Sequence, residues 1–187
     1  MTVIPLITVP NRLLRQKSKP VKTPKNSGEW DKKTKAVIND LLDTVKAQQD
    51  PEGVGLSAIQ IGKPLAIFVA KIDQKFEVFI NPKIIWKSVN TNAADPKSKR
   101  PLEGCLSIPN LYGLVNRPVS IKLTWINLAG QKKRQLFTLK PAIFLQHEYD
   151  HLHGILFTDR ILAQKGKIYE LQKNADGKDE LVEMKIE

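Results

Sequence analysis

Residues 141–154 read PAIFLQHEYDHLHG, and the centre of this stretch, QHEYDH (146–151), decides how the chain is read. Proline near the start and glycine just past the end bracket a helix. His147 and His151 are four apart, so a helix carries both imidazoles on one face, one turn from each other. Two such nitrogens can meet one tetrahedral cation. Glu148 follows His147 at about 100° around the helix. It leans over the site without being required as a ligand, which suits a general base acting on water activated by the metal. His153 points elsewhere and reads as a surface or helix-end residue. Asp150 reads either as an acceptor orienting a ligand histidine or as an exposed acid.

A catalytic metal site takes three protein ligands and keeps one position open. Downstream, Asp159, Glu170 and the acidic tail are candidates without a recognisable setting. Upstream, EGCLSIPN (103–110) holds Cys105, the only cysteine in the chain. A lone cysteine packs by default as a small, inert hydrophobe. Beside two helical histidines it becomes a candidate third ligand.

The rest of the chain reads as follows. Residues 11–28 hold prolines and many cations and read as an irregular arm crossing the surface. Residues 29–50 place Trp30, Val37, Ile38, Leu41, Leu42 and Val45 at helical spacing, with Asp50-Pro51 as the stop. PEGVGLSAIQIG (51–62) is a glycine-containing loop. Residues 64–72 and 75–86 are rich in branched and aromatic side chains and predict two strands joined near Asp73-Gln74. Residues 87–102 form a polar loop. Residues 119–127 and 134–139 predict a hairpin through LAGQ. The tail predicts a strand over ELVEMKIE (180–187) after a turn at DGKD.

The 187 residues fit one domain, with enough chain to bury a core. They are 41% hydrophobic and 26% charged, an ordinary balance for a globular protein. No apolar run approaches the roughly 20 residues that cross a bilayer. MTVIPLITVP lacks the basic region and cleavage site of a signal peptide. One cysteine and no export signal point to a reducing compartment, the cytoplasm. The net charge of +11 favours loose association with polyanions such as RNA. The basic runs DKKTK (31–35), KSKR (97–100) and QKKR (131–134) have no accompanying aromatic stacking platform or glycine-rich RNA motif, and read mainly as solvated faces.

Three segments, GVGLSAIQ (53–60), EGCLS (103–107) and QHEYDH (146–151), together resemble peptide deformylase in identity, order and approximate spacing. The resemblance extends from VIPLITVPNRLLRQKSKPV to about Asp159-Arg160. It implies an α+β fold, with antiparallel strands packed around a central helix that carries the HExxH motif. It also implies one catalytic domain over 1–187, with 165–187 as a variable tail. The implied activity is hydrolysis of the N-formyl group from the N-terminal formyl-methionine of new polypeptides, releasing formate. The metal ligands fall on Cys105, His147 and His151, and the catalytic acid on Glu148. The oxyanion donors fall on the Gln60 side chain and the Leu106 backbone N–H. The substrate pocket falls on Val54, Gly55, Gly104, Ile143 and Phe144, and the substrate peptide adds alongside 53–60 like a strand. The implied cofactor is one divalent ion, Fe(II) first, with Zn(II), Ni(II) or Co(II) as substitutes. The expected partners are formyl-methionyl peptides and a weakly associating ribosome, with no membrane, and the chain is expected to be a monomer.

Four departures stand out. Ser57 replaces a usual Ala, Ile59 a usual Pro and Ile143 a frequent Arg, and the loop NAADPKSKRP (92–101) is rewritten. Losing the proline frees a backbone N–H and is expected to loosen the loop. Two rival readings are an HExxH metallopeptidase cleaving internal peptide bonds, and a non-catalytic ribosome- or RNA-binding protein with a structural metal.

Overall fold

The computed structural model describes residues 2–24, 29–93 and 102–185. Nine strands form two antiparallel sheets. The first has the order β1-β2-β3-β6-β7, from β1 (Gly55–Ser57), β2 (Ile67–Ile72), β3 (Lys75–Lys87), β6 (Ser120–Ile126) and β7 (Lys132–Thr138). The second has the order β4-β5-β8-β9, from β4 (Glu103–Cys105), β5 (Ile108–Gly113), β8 (Ile168–Lys173) and β9 (Asp179–Glu183). Three helices complete the fold: α1 (Lys32–Ala47), α2 (Leu139–His151) and α3 (Phe157–Ala163). This is the α+β architecture of antiparallel strands that the motifs imply.

Each main element follows from its residues. Asp31 caps α1 by accepting from Thr34 N–H at 2.9 Å. The stripe Val37, Ile38, Leu41 and Val45 then packs against Leu56, Ile67, Val69 and Ile80 of the first sheet. Strands β2 and β3 pair as a hairpin, with Asp73 and Gln74 in the left-handed region of its turn. The other face of that sheet buries Phe68, Phe79, Ile121, Leu123, Trp125 and Phe137 with Ala142, Leu145 and Leu152 around α2. The Phe68 and Phe79 rings stack at 4.8 Å. Helix α2 thus lies against β1, β2, β6 and β7. Gly154 closes its end with φ near +69°, and a Cβ there would stand 2.3 Å from the Arg15 carbonyl oxygen.

Several expectations are corrected. The arm is irregular only in part: Arg12–Arg15 form a 3-10 turn that buries Leu14 completely, and Lys19 bridges Leu65. Residues 25–28 lie outside the described residues. The glycine loop contains β1 and a 3-10 turn over Ala58–Ile61 in which all four residues are buried. Ile59 in place of proline therefore adds a fully buried side chain rather than a loose loop. Helix α3 and strands β4, β5 and β8 carry no long periodic pattern and are not predicted. The tail strand is present as β9, paired with β8 through a turn at Asn174–Lys178. Residues 94–101, which include the basic run KSKR and most of the rewritten loop, lie outside the described residues, as do 186–187.

Candidate metal centre

Three elements meet at one point. Helix α2 presents His147 and His151, with ring centroids 5.0 Å apart. Strand β4 ends at Cys105, whose Sγ lies 3.2 Å from His151 Nε2. One ligand atom from each of Cys105, His147 and His151 falls within 4.8 Å of the others, and among the described residues this is the cluster of three or more candidate ligands. With metal–sulfur near 2.3 Å and metal–nitrogen near 2.0–2.1 Å, tetrahedral ligands sit roughly 3.5 Å apart. Cys105 Sγ and His151 Nε2, 3.2 Å apart, stand at about that spacing. The thiolate and imidazoles suit zinc, iron, nickel or cobalt and not magnesium or calcium.

The electrostatics match a ligand role. Burial alone would push the Cys105 thiol up; positive charge on His151 and hydrogen bonds from His147 and His151 outweigh it and bring it down to about 5. Burial works against a charged His147 as well, yet its bonds to Cys105 and Glu103 hold its pKa well above the ordinary value. Glu148 is raised, chiefly by burial, which favours proton uptake by a group that must later give the proton back.

The orienting acid is not the one expected. Asp150 is neither exposed nor bonded to a ligand histidine. It is buried and held by Arg117 Nη1 at 2.8 Å and by Arg160 at 2.5 and 3.1 Å. The residue against His147 Nδ1 is Glu103, at 3.2 Å. Arg117 then clamps Glu103 through Nε at 2.6 Å and Nη2 at 2.9 Å. A continuous chain of charges, Arg160–Asp150–Arg117–Glu103–His147, thus runs up to the site. An isolated acid cannot be assigned to a histidine by spacing alone, because the fold chooses the partner. The one sequence signal was Glu103, two residues from Cys105.

A cavity of about 390 Å³ opens over the cluster. Among its lining residues are Val54, Gly55, Gln60, Gly104, Cys105, Leu106, Ile143, Phe144, His147 and Glu148. All the site residues that the resemblance assigns line it except His151, which is buried beneath. Gly55 is forced by contact: a Cβ there would stand 2.6 Å from Glu148 Oε1. Gly104 is held the same way, with Tyr112 Cε1 2.7 Å from the position of a Cβ. Strand β1 pairs with β2 alone, so its other edge is free for an added strand. Gln60 is locked: Oε1 accepts from Ser57 N–H at 2.8 Å, and Nε2 donates to Ser107 Oγ at 3.0 Å and faces Cys105 Sγ at 3.7 Å.

Ser57 acquires a contact that the sequence did not announce. Its Oγ lies 2.8 Å from Glu148 Oε2 and 3.0 Å from the Glu148 carbonyl. The hydroxyl holds one carboxylate oxygen aside and leaves Oε1 by Gly55.

Comparison with known proteins agrees with this geometry. The polypeptide deformylase family model matches residues 3–167. A peptide deformylase of Phenylobacterium zucineum is 34% identical over 94% of this chain and 98% of its own. One of Mesorhizobium japonicum is 38% identical over 88% of each. The crystal structure of a Synechococcus elongatus peptide deformylase with actinonin superposes with a TM-score of 0.71 at 31% identity, covering 84% of this chain and 78% of that one. These relatives set aside the general metallopeptidase and the non-catalytic readings. Among the described residues, no helix is long and apolar enough to cross a membrane. The chain belongs to the polypeptide deformylase family, metal-dependent hydrolases that remove the N-formyl group from newly made polypeptides.

Proposed function

We propose that Cys105, His147 and His151 hold one divalent cation, Fe(II) by preference, and that Glu148, Gln60 and Leu106 act with it on the formyl group of an N-terminal formyl-methionine. The observation that carries this reading is the thiolate–imidazole–imidazole cluster at the floor of a cavity, with a buried carboxylate beside it. Bound there, the cation would supply Lewis acidity to the formyl carbonyl and to the attacking water. Glu148 takes the proton of the water as oxygen adds to the formyl carbon. Negative charge then grows on the formyl oxygen, where Gln60 Nε2–H and the Leu106 N–H donate; one such donor contributes roughly 3 kcal/mol. Gln60 must exchange a bond to Ser107 or Cys105 for the oxyanion. As the C–N bond breaks, Glu148 returns its proton to the departing amine. The products are formate and a free N-terminus.

The peptide backbone is read as adding to the free edge of β1, with the methionine side chain among Val54, Ile143 and Phe144. The whole chain works as one catalytic domain and as a monomer, with 165–187 as a tail. Weak ribosome association is part of the proposal, and failure to co-sediment at low salt removes it. The central test is purification without oxygen, metal analysis, and turnover of a formyl-methionyl peptide. Glu148→Ala is expected to keep the metal and lose turnover by orders of magnitude. Unchanged turnover overturns its role, and Cys105→Ser with metal and activity intact overturns the ligand set.

A further inference from the structure

The five-stranded sheet has an outer face that the catalytic reading does not use. Its inner face is filled by Phe79, Ile121, Leu123, Trp125 and Phe137 around α2. Strand alternation therefore turns Lys122, Thr124, Lys132, Arg134 and Leu136 outward. Register aligns them in rows: Trp86 pairs with Lys122, which pairs with Leu136, and Lys83 pairs with Thr124, which pairs with Arg134. A bulge between Ile84 and Trp86 brings the indole round to the side of Lys122, since Ile84 itself packs inward. Trp86 is 49% exposed, whereas Trp30 and Trp125 are 4% and 5% exposed. The sequence has no Asp or Glu from 104 to 147 or from 78 to 94, so strands β6 and β7 and the second half of β3 present cations with no acids among them. No ion pair holds Lys83, Lys122, Lys132 or Arg134 among the described residues.

For the run QKKR (131–134), whose Lys132 and Arg134 lie on β7, the fold supplies an exposed aromatic that the run itself lacks. The platform is assembled from three strands, so it is invisible in any one run. Its chemistry is that of single-stranded nucleic acid recognition: a rigid sheet, one exposed aromatic face, and cations on either side. We propose that this outer face binds single-stranded RNA, with Trp86 stacking on a base and Lys83, Lys122, Lys132 and Arg134 contacting phosphates. The face lies across the sheet from α2, so bound RNA leaves the metal site open.

The test uses the metal-loaded full chain and a fluorescein-labelled oligouridylate of 15 nucleotides, read by anisotropy at several salt concentrations. With four phosphates contacted, the slope of log K against log salt is expected near −3, at about −0.7 per phosphate. Trp86→Ala is expected to weaken binding about tenfold or more, and Trp86→Phe to keep most of it, as loss of one stacked base implies. Lys122→Gln with Arg134→Gln should flatten the slope by about 1.4. Formyl-methionyl peptide turnover should be unchanged in each and serves as the control for folding. RNA should also quench the tryptophan fluorescence of the unsubstituted protein, which needs no variant. Full affinity in Trp86→Ala, absence of quenching, equal Trp86-independent affinity for inorganic polyphosphate, or binding to phosphatidylglycerol vesicles but not RNA would each overturn the proposal.

Discussion

Arg117→Met removes the middle of the buried charge chain while keeping a side chain of similar length. Arg117 makes three charge-assisted bonds: two to Glu103, at 2.6 and 2.9 Å, and one to Asp150, at 2.8 Å. The side chains of Arg117, Glu103 and Asp150 are only 4%, 10% and 7% exposed. Asp150 keeps Arg160 in the variant. Glu103 loses both guanidinium bonds and is left with His147 Nδ1 at 3.2 Å. Stranding a buried charge in this way costs about 3–5 kcal/mol. For a chain of this size, with a urea m-value of about 2 kcal/mol/M, the unfolding midpoint should fall by about 2 M. The assay is urea denaturation of metal-free protein, followed by tryptophan fluorescence. Glu103→Gln combined with Arg117→Met should recover at least about 1 kcal/mol, because the unpaired charge is gone. A loss below about 1 kcal/mol in the single variant would place this network with ordinary surface pairs and refute the reasoning.

Other predictions concern the site and its acid limit. Gly55→Ala pushes a methyl into the space of Glu148 Oε1; kcat should fall at least about tenfold with metal content unchanged, and normal turnover would mean that the carboxylate moves freely. Ser57→Ala removes the hydroxyl from Glu148 Oε2 and should lower kcat about tenfold or more at constant KM, since a hydrogen bond to a charged group is worth about 1.5–3 kcal/mol; an unchanged kcat would leave Ser57 a packing residue. Gln60→Leu should lower kcat, and a change in KM alone would count against the oxyanion assignment. For the pH dependence, burial raises Glu103 and Asp150, but His147 and Arg117 on the first, and Arg160 and Arg117 on the second, outweigh it. Both folded pKa values therefore lie below the ordinary 4.5 and 3.8. Their contribution to stability is complete above those ordinary values and is lost as pH falls through the depressed ones. Thermal melts of the metal-free protein should drop steeply below about pH 4, and less steeply in Arg117→Met.

The parts of the molecule legible in the sequence share a cause. Strands β2, β3, β6 and β7 and helices α1 and α2 bury long periodic faces, so Val37, Leu41, Phe79 and Leu123 announce them. His147, Glu148 and His151 are legible because one helix fixes their relation, and Cys105 because it is the only thiol. What stayed hidden depends on pairing between distant segments. Strands β4 and β5 are short and half-buried, and the partner of β5, β8, lies in the tail. Arg160 looks like a surface cation until topology sets it against Asp150, and Arg117, readable as a partner for Glu103, shows its second bond, to Asp150, only in the fold. Ser57 reads as a neutral exchange for alanine until β1 is laid across the turn of α2 that holds Glu148. The outer face around Trp86 exists only through the register of three strands.

The ligand set has one further consequence. Cys105 belongs to the four-stranded sheet and His151, 46 residues away, to the helix seated on the five-stranded one. An ion held by both is a cross-link between two halves of the molecule, closing a long loop of chain in the way a disulfide does. Its binding free energy is then also cohesion between the sheets, and grows with free metal as RT ln(1 + [M]/Kd). Loading at 100 times Kd adds about 2.7 kcal/mol, so the melting temperature of this protein reports its metal occupancy as directly as its activity does. Oxidation of one sulfur atom would remove a catalyst and a structural tie together.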